Sequence, residues 1–349
     1  MTNIYRSFCT YEEIISQADR LDQVLNRWGV MPEKLGECKH VLFTGCGSSL
    51  FLSRLVADTW NARLDRFCRV VPASEVLLRP GACFDRFKPT AVFGISRTGE
   101  TTETIQALRV ARDQYGLRIF PTTCYPDSVL GRMSERTLQF PEVQEDSVVM
   151  TRAFTAILAA LLDWSGLGKE VRKLPAMISH SLDTNHDRIA RLAEQDYEQV
   201  IFLGTGPFHP IACEAALKLK EMTGLRADAR QLFEFRHGHQ ATIDEGTLLW
   251  LFVGREDIPY LEGLLPPLLE LGAKVLSVGA SLPQSVQSDS SDSINLPWSG
   301  SVTEIEAAGV LHLIQLYAFF RAVRMGRNPD QPLHLNRVVK LTSGVRAAS

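Results

Sequence analysis

No lysine- or arginine-rich block, no C-x-x-C pair and no bilayer-length apolar run occurs in this 349-residue sequence. Each absence removes a class of function. Basic and acidic residues nearly balance, 37 against 40 for a formal net charge of −3. The chain therefore lacks the electrostatic footprint of a non-specific nucleic-acid binder. Its seven cysteines (Cys9, Cys38, Cys46, Cys68, Cys83, Cys124 and Cys213) are scattered and odd in number. That pattern indicates neither a disulfide framework nor a zinc knuckle, and reduced thiols in a cytosolic protein are the simplest account. The opening MTNIYRSFCTYEEIISQADRL places acidic residues where a signal peptide needs an apolar core. The most apolar segments, FTAILAALLDW and VLHLIQLYAFF, are too short to span a membrane. A cytoplasmic protein with no membrane or nucleic-acid partner is expected.

What is present is a substantial core, with 45% hydrophobic and 22% charged residues in a chain long enough for two domains. Short apolar runs alternate with helical patterns. The runs are VLFTG (41–45), RVVPA (69–73), AVFGIS (91–96), RIFPTT (118–123), VIFLG (200–204), LLWLFVG (248–254) and KVLSVG (274–279). Each reads as a strand buried on both faces, and the alternation predicts α/β folding with parallel sheets. The halves resemble each other: VLFTGCG at Val41–Gly47 matches VIFLGTG at Val200–Gly206, and AVFG at 91–94 matches LFVG at 251–254 with nearly the same separation. This suggests a duplicated domain. A linker is expected around 165–185, and SLPQSVQSDSSDSINLP (281–297) reads as a solvated loop with no packed core.

The duplicated halves differ where chemistry would sit. After Gly94 the first reads ISRTGETTET, whereas after Gly254 the second reads REDIPYLEG. A strand feeding a helix near Gly99-Glu100-Thr101 leaves backbone N–H groups unpaired, and Ser96, Thr98 and Thr101 add hydroxyls, so the turn suits an anion. Ordinary N-capping by Thr98 is the bland alternative. No lysine follows this glycine as a nucleotide P-loop requires, and a smaller phosphate ester fits better. GCGSSLFL (45–52) fails as G-x-G-x-x-G because position 50 is Leu50, although Ser48 and Ser49 would offer hydroxyls to a ligand. Lys218 and Glu221 in ALKLKEMTG share a helix face, by default a solvated pair. FRHGHQ carries His237 and His239, an H-x-H with no third ligand by spacing, so no metal is expected.

Together, SRTGETTET, GCGSS, TRAFTA (151–156), EAALKLKE (214–221), FRHG (235–238) and NRVVK (336–340) resemble the double sugar-isomerase (SIS) family over residues 40–341. The likeness is to the isomerase domain of glucosamine-6-phosphate synthase and to amino-sugar-phosphate ketose/aldose isomerases and deaminases. It implies two tandem flavodoxin-like SIS domains. The boundaries expected are 1–35 for an N-terminal helical segment, 36–168 and 185–330 for the domains, and 331–349 for a tail closing over the site.

The resemblance implies a phosphosugar isomerase acting by C1–C2 proton transfer, with or without deamination, on a hexose phosphate or amino-sugar phosphate. Phosphate binding would fall to Ser96, Arg97, Thr98 and Thr101, with Ser48, Ser49 and the backbone of Val148 contacting the sugar. Glu221 matches the base, Lys218 a neighbouring lysine, His237 the ring-opening histidine donated to an adjacent subunit, and Lys340 the lysine that closes over substrate. A homodimer with shared sites and no cofactor is implied.

The sequence departs from the synthases in several places. No glutaminase domain precedes it, so glutamine-dependent amidotransfer is not expected; Arg97 stands where they carry glutamine; and His239 interrupts their His-Gly-Pro. A fructosamine-phosphate deglycase and a non-catalytic sugar-phosphate-binding regulator are the alternatives.

Overall fold

The structure, a computed structural model, describes residues 2–296 and 302–341. Positions 342–349 of the expected tail and Pro297 of the expected loop lie outside those residues. The chain forms two compact units. The first comprises Gln23–Gly168 with the segment from Asn336; the second comprises the residues up to Asp22 with Lys169–Leu335.

In the first unit, β1 (His40–Gly45), β2 (Phe67–Pro72), β3 (Ala91–Ile95), β4 (Arg118–Thr123) and β5 (Leu138–Gln139) form one parallel sheet in the order β2-β1-β3-β4-β5. Helices α1 (Ser48–Arg63), α2 (Thr102–Arg109) and α3 (Arg152–Leu162) flank it. The two-residue period of the strands decides what each face buries. Leu42, Val92 and Ile119 face one way and pack with Ile105 and Leu108 of α2. Phe43, Phe93 and Phe120 face the other way and stack with centroids 4.8 and 5.0 Å apart. Trp60 of α1 meets Phe43 edge-on at 5.3 Å, and its Nε1 donates to the Leu161 carbonyl of α3 at 3.0 Å. Each such side chain, fully buried, stabilises the fold by roughly 1.5–3 kcal/mol.

The second unit repeats the plan with β6 (Gln199–Gly204), β7 (Arg226–Gln231), β8 (Thr247–Val253), β9 (Lys274–Gly279) and β10 (Ser291–Asn295), ordered β7-β6-β8-β9-β10 and all parallel. Its helices are α4 (Leu174–Leu192), α5 (Phe208–Thr223), α6 (Ile258–Glu270) and α7 (Leu311–Arg324). Ile201, Leu249, Leu251 and Val275 pack against Leu261, Leu264, Leu265 and Leu268 of α6. On the opposite face Trp250 lies 5.3 Å from Tyr317 of α7. The chain's N-terminal residues are tied into this unit, Thr10 Oγ1 donating to Asp330 Oδ1 at 2.6 Å and Gln17 Nε2 to Gln315 Oε1 at 2.8 Å.

One expectation is corrected. The stretch 281–297 is not a structureless loop: it contains a 3₁₀ turn at Gln284–Val286 and strand β10, and it buries Leu282, Val286 and Ile294. Its serine-rich sequence hides an edge strand that has one covered face. The segment read as a linker, 165–185, contains the division between the two units at Gly168 and Lys169, and its later part is the start of the 19-residue helix α4, which buries Ile178 and Leu182.

Candidate functional site

Strand order β2-β1-β3 makes the connections after β1 and β3 leave in opposite directions, which opens a crevice at the carboxyl ends of those strands. The β1 turn needs glycine. A Cβ on Gly45 would lie 2.9 Å from the Ile95 carbonyl oxygen and from Ser49 Cβ, and Gly47 has φ 54°. Ser48 and Ser49 head α1 and are nearly buried, with no side chain capping that helix end.

The β3 turn is built from its own hydroxyls. Ser96 Oγ lies 2.9 Å from Thr101 Oγ1, and Thr98 Oγ1 accepts the Glu100 N–H at 3.3 Å. Thr101 is the N-cap position of α2 and makes no side-chain cap bond, so the alternative of ordinary N-capping by Thr98 does not account for this helix start. Gly99 sits at φ 68°, and a Cβ there would approach Ser128 Oγ to 1.9 Å. The N-terminal N–H groups of α2, the helix dipole and three hydroxyls thus gather on a rigid turn, an arrangement suited to a phosphate.

Arg97 points the other way. It is 7% exposed, and its Nη1 donates to Glu145 Oε2 at 3.0 Å and to the Val149 carbonyl at 2.6 Å. Its Nη2 donates to the Val148 carbonyl at 2.8 Å, so the backbone group singled out at Val148 is already engaged. Burial alone would lower the guanidinium pKa, but the Glu145 carboxylate outweighs it and holds the pKa above the ordinary arginine value. Glu145 Oε1 in turn accepts from Thr151 N, Thr151 Oγ1 and Ala153 N at 2.8, 2.8 and 3.0 Å, which caps α3. Arg97 therefore ties the hydroxyl turn to the start of α3. It presents a neutralised ion pair behind the turn, not a free cation.

Residues 337–341 lie along the same turn. Arg337 Nη2 donates to Tyr125 OH and to the Glu145 carbonyl, Lys340 Nζ stands 3.9 Å from Glu100 Oε2, and Leu341 N donates to Thr102 Oγ1 at 3.2 Å. A cavity of about 350 Å³ is lined here by Thr98, Glu100, Tyr125, Ser128, Arg337 and Val338, among others.

In the second unit, α5 carries the acid–base candidates. Lys218 is fully buried and lies 3.4 Å from Glu214 Oε1, with Nζ also bonded to Glu221 Oε2. The pair read by default as solvated is thus half interior, with Glu221 the partly exposed member. His237 is exposed just beyond the 3₁₀ turn Glu234–Arg236, and His239 Nδ1 accepts from Arg230 Nε at 3.3 Å. At this sheet's own switch point Asp257 stands at the start of α6 without capping it through its side chain. Asp257 accepts from Thr205 Oγ1 at 2.7 Å and from Gly254 N at 2.8 Å. Burial holds its carboxyl pKa above the ordinary value, and those two donors offset only part of the rise.

The structure therefore gathers Ser96, Thr98 and Thr101 into one turn, places Lys340 beside it, and pairs Lys218 with Glu221. Glu145, Tyr125, Arg337 and Glu214 escaped sequence reasoning. Their partners are distant in the chain, or, for Glu214, concealed in an ordinary helical pattern. Among the described residues no group of three or more His, Cys, Asp or Glu side chains is placed to hold a metal, and no helix is long and apolar enough to cross a membrane.

Two parallel sheets of one strand order, each with strand-to-helix turns at its switch point, define a tandem doubly wound α/β protein. Residues 34–162 and 192–308 match the SIS domain, and the chain belongs to that family. It is 28% identical over 346 residues to a glutamine–fructose-6-phosphate aminotransferase (isomerizing) of Aquifex aeolicus, a match covering 94% of this chain and 56% of that protein. The chain thus spans little more than half the length of that relative. The fold is shared with a tagatose-6-phosphate ketose/aldose isomerase from Escherichia coli, at TM-score 0.84 and 22% identity, covering 97% of each chain. A glucosamine-6-phosphate deaminase from Thermotoga maritima is similar at TM-score 0.77 and 26% identity, covering 95% of this chain and all of the other.

Proposed function

We propose that this protein moves a proton between C1 and C2 of a hexose phosphate or amino-sugar phosphate, by aldose–ketose isomerisation with or without deamination. The observation that carries the reading is the Ser96–Thr101 turn, whose hydroxyls and uncapped helix start at the first sheet's switch point suit a phosphate. The names of the similar isomerase and deaminase support it.

In this reading the phosphate is held by Ser96, Thr98, Thr101 and the first N–H groups of α2, with Ser48 and Ser49 serving the sugar hydroxyls. Binding energy from the unreacting phosphate fixes the carbons that react. Glu221, the exposed end of the buried Lys218 pair, removes the proton α to the carbonyl or imine and returns it to the neighbouring carbon through an enediol or enolamine. Lys218 and Lys340 offset the charge that develops on oxygen. His237 carries the proton when the hemiacetal opens, in a homodimer whose subunits share their sites. Where the substrate is a 2-amino sugar, water hydrolyses the ketimine to ketose and ammonia. Arg97 acts from behind the turn through Val148 and Glu145.

The test is incubation with glucosamine-6-phosphate, galactosamine-6-phosphate and fructose-6-phosphate, assaying ammonia and ketose or aldose. Turnover of at least one is expected. Saturable binding without turnover of any would replace the enzyme by a sugar-phosphate-binding regulator.

A further inference from the structure

We propose that Arg337 is a positioning residue: it latches residues 337–341 along the phosphate turn and so sets Lys340. The proposal rests on the reading of that turn as a phosphate site, and every group in it belongs to the first unit.

Three grips hold this segment, and they are unequal. Lys340 stands 3.9 Å from Glu100, with 63% of its side chain exposed, a geometry in which ion pairs contribute little. Leu341 N makes one exposed hydrogen bond to Thr102 Oγ1. Arg337 alone binds through several groups at once. Its Nη2 donates to both Tyr125 OH and the Glu145 carbonyl, Nη1 lies 3.9 Å from Asp146 Oδ1, and the guanidinium sits 5.2 Å from the Tyr125 ring centroid. Charge-assisted bonds combined with stacking on an aromatic face are the arginine-specific mode of attachment.

The anchor itself is rigid. Tyr125 OH donates to the Glu145 carbonyl at 2.5 Å and accepts the Glu145 N–H at 2.9 Å. The Glu145 carboxylate is sealed and bonded to Arg97, the residue between Ser96 and Thr98. A continuous path, Arg337 to Glu145 to Arg97, therefore joins the segment to the turn that would hold the phosphate. Val338, next in the chain, lines the cavity with Thr98 and Ser128, so the latched segment supplies one wall of it. Released at Arg337, the segment would keep only the weak contact of Lys340 with Glu100 and the exposed bond of Leu341 N to Thr102.

The experiment uses the full chain and the variants Arg337→Ala, Arg337→Lys, Lys340→Ala and the double variant Arg337→Ala/Lys340→Ala. Amide hydrogen exchange over 337–341 needs no turnover. In Arg337→Ala it should accelerate at least tenfold, which corresponds to about 1.4 kcal/mol, while the melting temperature stays within about two degrees. Arg337→Lys should fall between, keeping the charge but losing the planar fork. A double-mutant cycle is read on kcat/KM, or on the dissociation constant for fructose-6-phosphate. The double variant should be no worse than Lys340→Ala alone. Unchanged exchange in Arg337→Ala overturns the latch, and fully additive losses overturn its action through Lys340. A wild-type protein that turns over none of the sugar phosphates defeats the proposed function instead, and the exchange result still decides the latch.

Discussion

Nη1 of Arg97 donates to Oε2 of Glu145 at 3.0 Å, and both side chains are shut away from solvent while the other oxygen of that carboxylate caps α3. One ion pair thereby joins the hydroxyl turn to the helix that follows Val148. Removing a single member of a buried pair strands its partner, at a cost of about 3–5 kcal/mol. Arg97→Leu and Glu145→Leu should each lower urea-unfolding stability by that order, and Arg97→Lys by less. If Arg97→Leu left the unfolding midpoint where it was, the pair would not be what holds the turn.

The hydroxyls of the turn should matter for binding and little for stability. Ser96→Ala/Thr98→Ala removes two hydrogen-bonding groups, each worth about 0.5–1.5 kcal/mol. Affinity for fructose-6-phosphate, measured by calorimetric titration, should fall roughly tenfold to a hundredfold. An unchanged affinity would put the phosphate elsewhere.

Glu221 is the partly exposed partner of a fully buried lysine, a location suited to proton transfer. Glu221→Gln should reduce turnover by about 10²–10⁴ while leaving substrate affinity within a few-fold. Wild-type rates in that variant would refute the role. The hidden carboxylate on the far side of Lys218 predicts a different outcome for Glu214→Gln: lower stability by about 1–3 kcal/mol.

His312 on α7 is 1% exposed, with Nε2 placed 2.8 Å from Ser181 Oγ. Burial pushes its pKa down to about 3 from the ordinary 6.5. Below pH 6.5 the unfolded chain takes up a proton that the folded chain refuses, so stability is complete above that value and declines as pH falls toward 3. Within that window each pH unit costs up to about 1.4 kcal/mol from this group. Urea unfolding at pH 7, 6 and 5 should show this slope, and His312→Gln should flatten it. An equal slope in both proteins would assign the acid sensitivity to other groups.

How much of this was legible followed the range of the interactions. β1, β3, β4, β6, β8 and β9 were readable because strands buried on both faces are nearly all apolar, and that pattern sits within a few residues. RADARQ of β7 and SDSIN of β10 were not, because edge strands have fewer buried positions and their pairing, with β6 and β9, lies in another part of the chain. The hydroxyl turn was visible since strand, glycine and helix start are contiguous there. Lys218 looked like a surface residue because helical spacing shows which residues share a face but not what covers that face.

By itself, then, the sequence determined a duplicated strand–helix plan and the position of the hydroxyl-rich turn, both products of local periodicity and turn chemistry. Tertiary structure alone decided that Arg97 faces Glu145 instead of a ligand, that Asp257 accepts from Thr205, and that Arg337 grips Tyr125. Arg97 and Glu145 are 48 positions apart, Asp257 and Thr205 are 52, and Arg337 and Tyr125 are 212. No local pattern encodes such a pairing; it exists only once the fold has brought the partners together, and for Arg97 burial has also removed water as the competing partner.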